Sequence, residues 1–255
     1  MDLGKSINKS LRFCINPKRW FPFFLMNLLG LSLILAIFNN AHLFNSPNVL
    51  SGIYVFSVMF LEIIIVGGLL FVIDLIIQGA VIHQSYKEKE YRKSFLNSYR
   101  KTPSLIMASA VILAINIFAI SIPYFGLIFM FMSVLALYFV YQNIIIKNMG
   151  FANSLEYSFD LFKKNCGSLI IIYFALGILS VLLSLIFSMP LIYMIFTILI
   201  SGGQLALNPL TAISLNLNWL FICLLISIIG KSISRVFYIK TQTEIYLQMI
   251  KKKAK

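Results

Sequence analysis

Two carboxyl groups stand inside one long apolar stretch: Glu62 and Asp74, within the run from about Gly52 to Ile82. A charged side chain at mid-bilayer costs about 2.5–3.5 kcal/mol on insertion scales, so an intramembrane acid is a candidate for a proton or cation relay. Glu62 lies about ten residues in from the outer end of the stretch. Asp74 follows about 18 Å further along a helix and about a third of a turn around it, so the two acids do not form one dyad. Gln78 stands four positions after Asp74 and shares its face. Gln142 and Asn143, near the inner end of a later apolar run, are placed to reach across and satisfy those groups. These five residues are the candidate functional set. A purely structural role is open to each acid: Asp74 near the inner interface, bonded to Gln78 or paired with a cytoplasmic Lys, Glu62 protonated and bonded across the bundle or facing an outer vestibule. Gly67-Gly68, between the acids, marks close helix packing or a local break.

No nucleophile or metal constellation accompanies them. The chain contains no G-x-S-x-G, H-E-x-x-H, phosphate-loop or D-x-x-D pattern. His42 and His83 flank one apolar segment at opposite ends, too far apart to share a metal, and His83 beside Gln84 reads as an interfacial polar residue. Cys14, Cys166 and Cys223 form no C-x-x-C pair, and disulfides are not expected. The expectation is no catalytic set, no metal site and no cofactor.

The elements that must position these residues are membrane helices. Of 255 residues, 60% are hydrophobic and 11% are charged, and the mean hydropathy is +0.93. A soluble domain carries far more charged surface, so the solvent is a bilayer. Apolar runs long enough to span predict six helices, near 20–38, 52–82, 104–122, 124–146, 168–200 and 213–230, within one integral domain over 1–255. The fifth run is long for one span and contains Pro190, which predicts a kink or a break. The preferred reading is a span followed by an outer half-segment, then an uncharged outer loop, Ser201 to Ala212. The first run lacks a small-x-small cleavage site and reads as a retained span.

Charge orients the bundle. All 21 Lys and Arg fall in four groups: before the first span, between the second and third, after the fourth, and after the sixth. The other three connections have none. The positive-inside rule then places both termini and two loops in the cytoplasm of a cell-membrane protein. The net charge of +13 suits anionic headgroups at that face and needs no nucleic acid.

Each odd-numbered span follows a short basic-amphipathic segment: Lys5 to Arg19, Tyr91 to Pro103 and Gly150 to Asn165. Each carries a Ser before a hydrophobe, Ser10-Leu11, Ser94-Phe95 and Ser154-Leu155. In the third, Phe151, Leu155, Phe159 and Phe162 form one helical stripe, suited to the headgroup boundary. The expected fold is therefore an all-α bundle of about six spans with interfacial amphipathic helices, repeated as three hairpins with pseudo-threefold symmetry.

Gln142, Lys147, Gly150, Asn153-Ser154-Leu155 and Lys164-Asn165, with the closing Thr243-Glu244-Ile245-Tyr246, resemble the signature of a group of six-span prokaryotic membrane proteins. That group includes the membrane domain attached to some glycerophosphodiester phosphodiesterases. The resemblance implies a fold and no reaction, since no phosphodiesterase barrel lies within these residues.

The expected function is non-enzymatic: a scaffold, an assembly factor or a subunit of a larger membrane complex, with membrane lipids and a membrane protein as partners. Two rivals stand beside it. One is a small-solute or ion transporter using Glu62. The other is an intramembrane lipid-modifying enzyme using Glu62, Asp74 and His83.

Overall fold

The computed structural model describes residues 2–41, 49–88, 90–204 and 217–253. Among them the chain is helical, with no strand. In chain order the helices are α1 (Leu3–Cys14), α2 (Pro17–Ala41), α3 (Val49–Tyr86), α4 (Tyr91–Ile120), α5 (Gly126–Ala136), α6 (Val140–Ile146), α7 (Phe151–Gln204) and α8 (Leu217–Lys253). Six stretches are long and apolar enough to cross a membrane: Pro17–Ile37, Phe56–Tyr86, Tyr91–Ile120, Gly126–Ile146, Phe151–Thr197 and Asn218–Lys251. The all-α multi-pass architecture stands.

Local chemistry sets the helix ends. The Asp2 side chain accepts the Lys5 N–H at 2.9 Å and caps α1. Asn16 does the same for Lys18 at 3.1 Å, and Pro17 opens α2 where its missing N–H costs nothing. Between α4 and α5 the chain reverses through Pro123 and Tyr124, the latter at φ 64°. Gly126 completes that reversal, because a Cβ there would lie 2.6 Å from the Ala119 carbonyl.

Several span limits move. The second basic segment is not a separate helix, since α4 runs without interruption from Tyr91, whereas the third, Phe151 to Lys164, is set off from its span by a kink at Asn165. The expected break at Pro190 does not occur. Helical dihedrals pass through it, and the non-helical residue of α7 is Asn165, at φ −133° and ψ 25°. A proline inside a membrane helix is tolerated when neighbouring groups satisfy the freed carbonyl, so α7 continues through Pro190 and, among the described residues, no outer half-segment separates from it there. The fourth span is broken instead, at residues 137–139 between α5 and α6. The sixth does not stop at Gly230 but continues to Lys253. Of the outer loop Ser201 to Ala212, residues 201–204 belong to α7, and the rest, like His42, lies outside the described residues.

The helices of each hairpin touch, α2–α3, α4 with α5 and α6, and α7–α8, and α3 also packs extensively on α4. Small and polar residues line the α7–α8 seam. Ser180 bonds Ser234 at 2.9 Å and Ser188 bonds Ser227 at 3.0 Å. A Cβ on Gly230 would lie 2.0 Å from the Cβ of Phe187, so only glycine permits that crossing.

The buried core lies toward one end of the bundle. It gathers Phe13, Phe23, Ile82, Leu105, Ile144 and Phe237 in one cluster, and Phe139, Leu169, Ile245 and Tyr246 in the other. This is the end where the basic residues collect, and both termini belong to it. The Asp2 N–H donates to Gln248 Oε1 at 3.2 Å, and Lys9 pairs with Glu244 at 3.4 Å. Away from this end the helices separate. On α3 the consecutive residues Ile63, Ile64 and Ile65 are all exposed, together with Phe60, Leu61 and Leu69. Successive residues point about 100° apart, so this length of α3 is uncovered around most of its circumference.

Candidate functional site: a buried polar layer at the basic end

The basic end holds three pairs of fully buried serines, one pair in each amphipathic segment: Ser6 and Ser10, Ser94 and Ser98, Ser154 and Ser158. The members of each pair are one helical turn apart, so each segment turns a serine face inward. The first serine of each pair donates to the backbone carbonyl just outside its helix: Ser6 to Asp2 at 3.1 Å, Ser94 to Glu90, and Ser154 to Gly150 at 2.7 Å. The repeat expected from sequence is therefore present in the contacts, with its first unit displaced by one turn. The counterpart of Ser94-Phe95 and Ser154-Leu155 is Ser6-Ile7, not Ser10-Leu11.

The second serine of the later pairs reaches the helix before it. Ser98 Oγ donates to the Ile76 carbonyl at 2.7 Å, and Ser158 Oγ to the Ala136 carbonyl at 2.8 Å, both across 22 positions. A second contact also repeats, across 11 positions. His83 Nδ1 shares a hydrogen bond with Ser94 Oγ at 2.9 Å, and Asn143 Nδ2 donates to the Ser154 carbonyl at 3.1 Å. Serines suit this work because a short side chain lets two helix backbones approach and then bonds a carbonyl. The first segment meets the last helix instead: Gln248 Nε2 donates to Ser6 Oγ at 2.9 Å, and Cys14 Sγ points at the Ile233 carbonyl at 3.9 Å. Each amphipathic segment thus packs on the second helix of another hairpin, and α1 on α8 closes the ring. Burial pushes the Cys14 thiol up to about 12, despite the opposing pull of Arg19 and Lys240.

The third segment buries its serines and most of its apolar stripe: Phe162 is inside and Phe151 and Leu155 pack against the core, while Phe159 remains exposed with Lys163 over its ring. Hydrogen-bonding the break in the fourth span accounts for the burial of Ser158. Ser158 Oγ accepts the Phe139 N–H at 3.2 Å while donating to Ala136, and Gln242 Nε2 donates to the Tyr138 carbonyl at 2.6 Å. Backbone groups freed at 137–139 are thereby satisfied by α7 and α8.

Two charged contacts join α3 to α8. Arg235 pairs with Asp74, and its guanidinium also lies 4.9 Å from the Phe23 ring centre. Lys240 is fully buried. Its Nζ donates to Glu244 at 2.7 Å and to the Ser85 carbonyl at 2.9 Å, with Glu88 at 3.4 Å. Glu244 also takes Lys9 of α1, so its carboxylate joins α1 to α8, while Lys240 carries the link on to α3 through the Ser85 carbonyl.

The five candidate residues do not converge. Asp74 takes Arg235 rather than Gln78, which stays half-buried. Asn143 accepts from the Tyr246 hydroxyl at 2.5 Å while donating to Ser154. Gln142 is buried with neither side-chain polar atom bonded to the protein, so it does not reach across to Asp74 or Gln78. Glu62 is partly exposed on the uncovered part of α3, with no ion pair or hydrogen bond among the described residues. His83 is tied to Ser94. Sequence reasoning passed over Lys240, Arg235, Gln242 and the serine pairs. The signal was present as Ser at one-turn spacing in three segments, and as Lys240 and Glu244 one turn apart in an otherwise apolar-polar helix.

Chemically this layer holds helices together: its serines, Lys240, Gln242 and Asn143 are spent on backbone carbonyls and on neighbouring side chains, with Gln142 the exception. Among the described residues no cluster of His, Cys, Asp and Glu is suited to a metal, and the three cysteines are free thiols. Compared with known proteins, the chain matches no family description, no curated sequence and no solved structure.

Proposed function

We propose that this chain is a non-enzymatic integral membrane protein of the cell membrane, acting as a scaffold, an assembly factor or a subunit of a larger membrane complex. The observation that carries the reading is the uncovered length of α3. There Glu62 stands among Phe60, Leu61, Ile63, Ile64 and Ile65, all exposed. An acid in an apolar setting requires a donor, and none is supplied by this chain's described residues. A membrane partner that brings a donor and an apolar face satisfies both features. The polar layer supports the same reading, because it consumes His83, Asp74 and Asn143 in bonds that fasten helices.

The positive-inside argument orients the protein with both termini and the basic end in the cytoplasm, where Lys5, Lys9, Lys251 and their neighbours meet anionic headgroups. A place in the six-span prokaryotic group would rest on the motif from Gln142 to Asn165 and on Thr243 to Tyr246, of which Gly150 and Ser154 have structural work in the serine layer.

The test is native extraction of the tagged protein in mild detergent, with co-purifying proteins and lipids identified by mass spectrometry. A stoichiometric protein partner is the expected result. A solitary protein retaining a single solute, with a flux that Glu62→Gln abolishes, would replace the scaffold reading with transport.

A further inference from the structure

The α2, α3 and α8 helices enclose a groove of about 460 Å³, within the range of about 300–1,000 Å³ typical of small-ligand sites. Its walls are apolar: Leu31 and Ile34 of α2, Leu70 of α3, Leu224 and Ile228 of α8. Gly30 keeps the space open, since even a Cβ there would come within 3.2 Å of Leu70 Cδ1. One charged residue lines the groove, Lys231, whose side chain is exposed.

Lys231 is the first basic residue of α8 after the apolar run from Trp219 to Gly230. Its depth can be read from its neighbour: Ser232 Oγ accepts from Asn27 of α2 at 3.2 Å. Asn27 lies ten residues past Pro17, so this level is about 15 Å along α2 from the basic end. A cation at that depth is costly unless an anion neutralises it or it reaches the headgroup region. Among the described residues no carboxylate pairs with Lys231, and Asp74 pairs through Oδ2 with Arg235 one turn further along α8. An occupant of this groove therefore needs a long apolar body and a negative head.

We infer that the groove binds one anionic phospholipid of the inner leaflet, with its phosphate at Lys231 and an acyl chain along Leu31, Ile34 and Leu224. The Lys231 ammonium supplies the attraction and the groove supplies selection for a chain. The inference does not depend on the scaffold reading, since a transporter or an isolated bundle could hold the same lipid.

The test is native mass spectrometry of the full chain in detergent, titrated with phosphatidylglycerol or with phosphatidylcholine of identical acyl chains. The wild-type protein is expected to retain one phosphatidylglycerol in preference to phosphatidylcholine. Lys231→Gln should weaken that binding about fivefold, the factor corresponding to about 1 kcal/mol per basic residue near the headgroups. Lys251→Gln, at the far basic end, should leave it unchanged. Ile34→Trp fills the groove and should reduce retention of both lipids with the cation intact, which keeps the test decisive if Lys231→Gln misfolds. Excess inorganic phosphate should fail to displace the lipid. Equal retention by wild type and Lys231→Gln would overturn the inference, as would displacement by phosphate or a polypeptide found crosslinked in the groove.

Discussion

Ser98 of α4 sits so close to Gly79 of α3 that a Cβ on residue 79 would lie 2.2 Å from its Oγ. The same hydroxyl donates to the Ile76 carbonyl one turn before. Gly79 is therefore a packing requirement of the serine layer. Gly79→Ala is expected to destabilise the protein by about 1–3 kcal/mol through overpacking, measured as thermal unfolding in detergent. Gly67→Ala is the contrast, since nothing lies within 4 Å of a Cβ there, and it should unfold at or slightly above the wild-type temperature.

The Asp74–Arg235 pair joins α3 to α8 across 161 positions. Its atoms are only partly shielded, with side-chain exposures of 15% and 36%. The loss on removing one partner is therefore set below the roughly 3–5 kcal/mol of a buried pair, at about 1–2 kcal/mol. Asp74→Leu should cost more than the double variant Asp74→Leu, Arg235→Met, because the single change leaves an unpaired guanidinium. A double-mutant cycle on unfolding free energies checks this. Additive effects would mean that the pair does not couple the helices.

Asn143 accepts the Tyr246 hydroxyl and donates to Ser154, so it ties α6 to α7 and α8. Asn143→Leu leaves the buried Tyr246 hydroxyl without a partner and removes the second bond to the Ser154 carbonyl, and should cost about 2–3 kcal/mol, at roughly 1–3 for the orphaned group. Tyr246→Phe removes only the donor and should cost less. Thermal unfolding of the two variants ranks them.

Cys14 provides a pH signature. Its thiol is raised from an ordinary 9.0 to about 12 by burial, so the folded protein keeps the proton over that interval while the unfolded chain releases it. The unfolded state then binds fewer protons, and stability falls as pH rises from about 9 toward 12. Cys14→Ala should flatten that part of the stability–pH curve. In the folded protein a maleimide should label the partly exposed Cys166 well before Cys14.

Much of the fold was legible in hydropathy and charge, because a bilayer demands long apolar runs and sorts Lys and Arg to one side. What hydropathy does not register is hydrogen bonding inside the basic end. The break at residues 137–139 lies in an apolar run, and it exists because Ser158 and Gln242, distant in sequence, satisfy its backbone. Pro190 carried the stronger local signal for a break and yields none, while Asn165 bends α7. Lys240 reads as one more inside charge, yet it is buried because Glu244, Glu88 and the Ser85 carbonyl surround it. The apolar stripe of the third segment outweighed its serines in amphipathic patterning, although it is the serines that make the hydrogen bonds to neighbouring helices. Asp74 and Glu62 were recognisable as anomalies, but only the structure separates the one that is paired from the one that is not.

The central claim, that the uncovered length of α3 is a surface for a membrane partner, is tested most directly by photocrosslinking in the native membrane. A photoreactive amino acid replaces Phe60, Leu61 or Leu69 in turn. The account predicts a discrete protein adduct of one mass at two or more of these positions, weakened by Glu62→Gln. Adducts to lipid alone at every position, unchanged by Glu62→Gln, would contradict it.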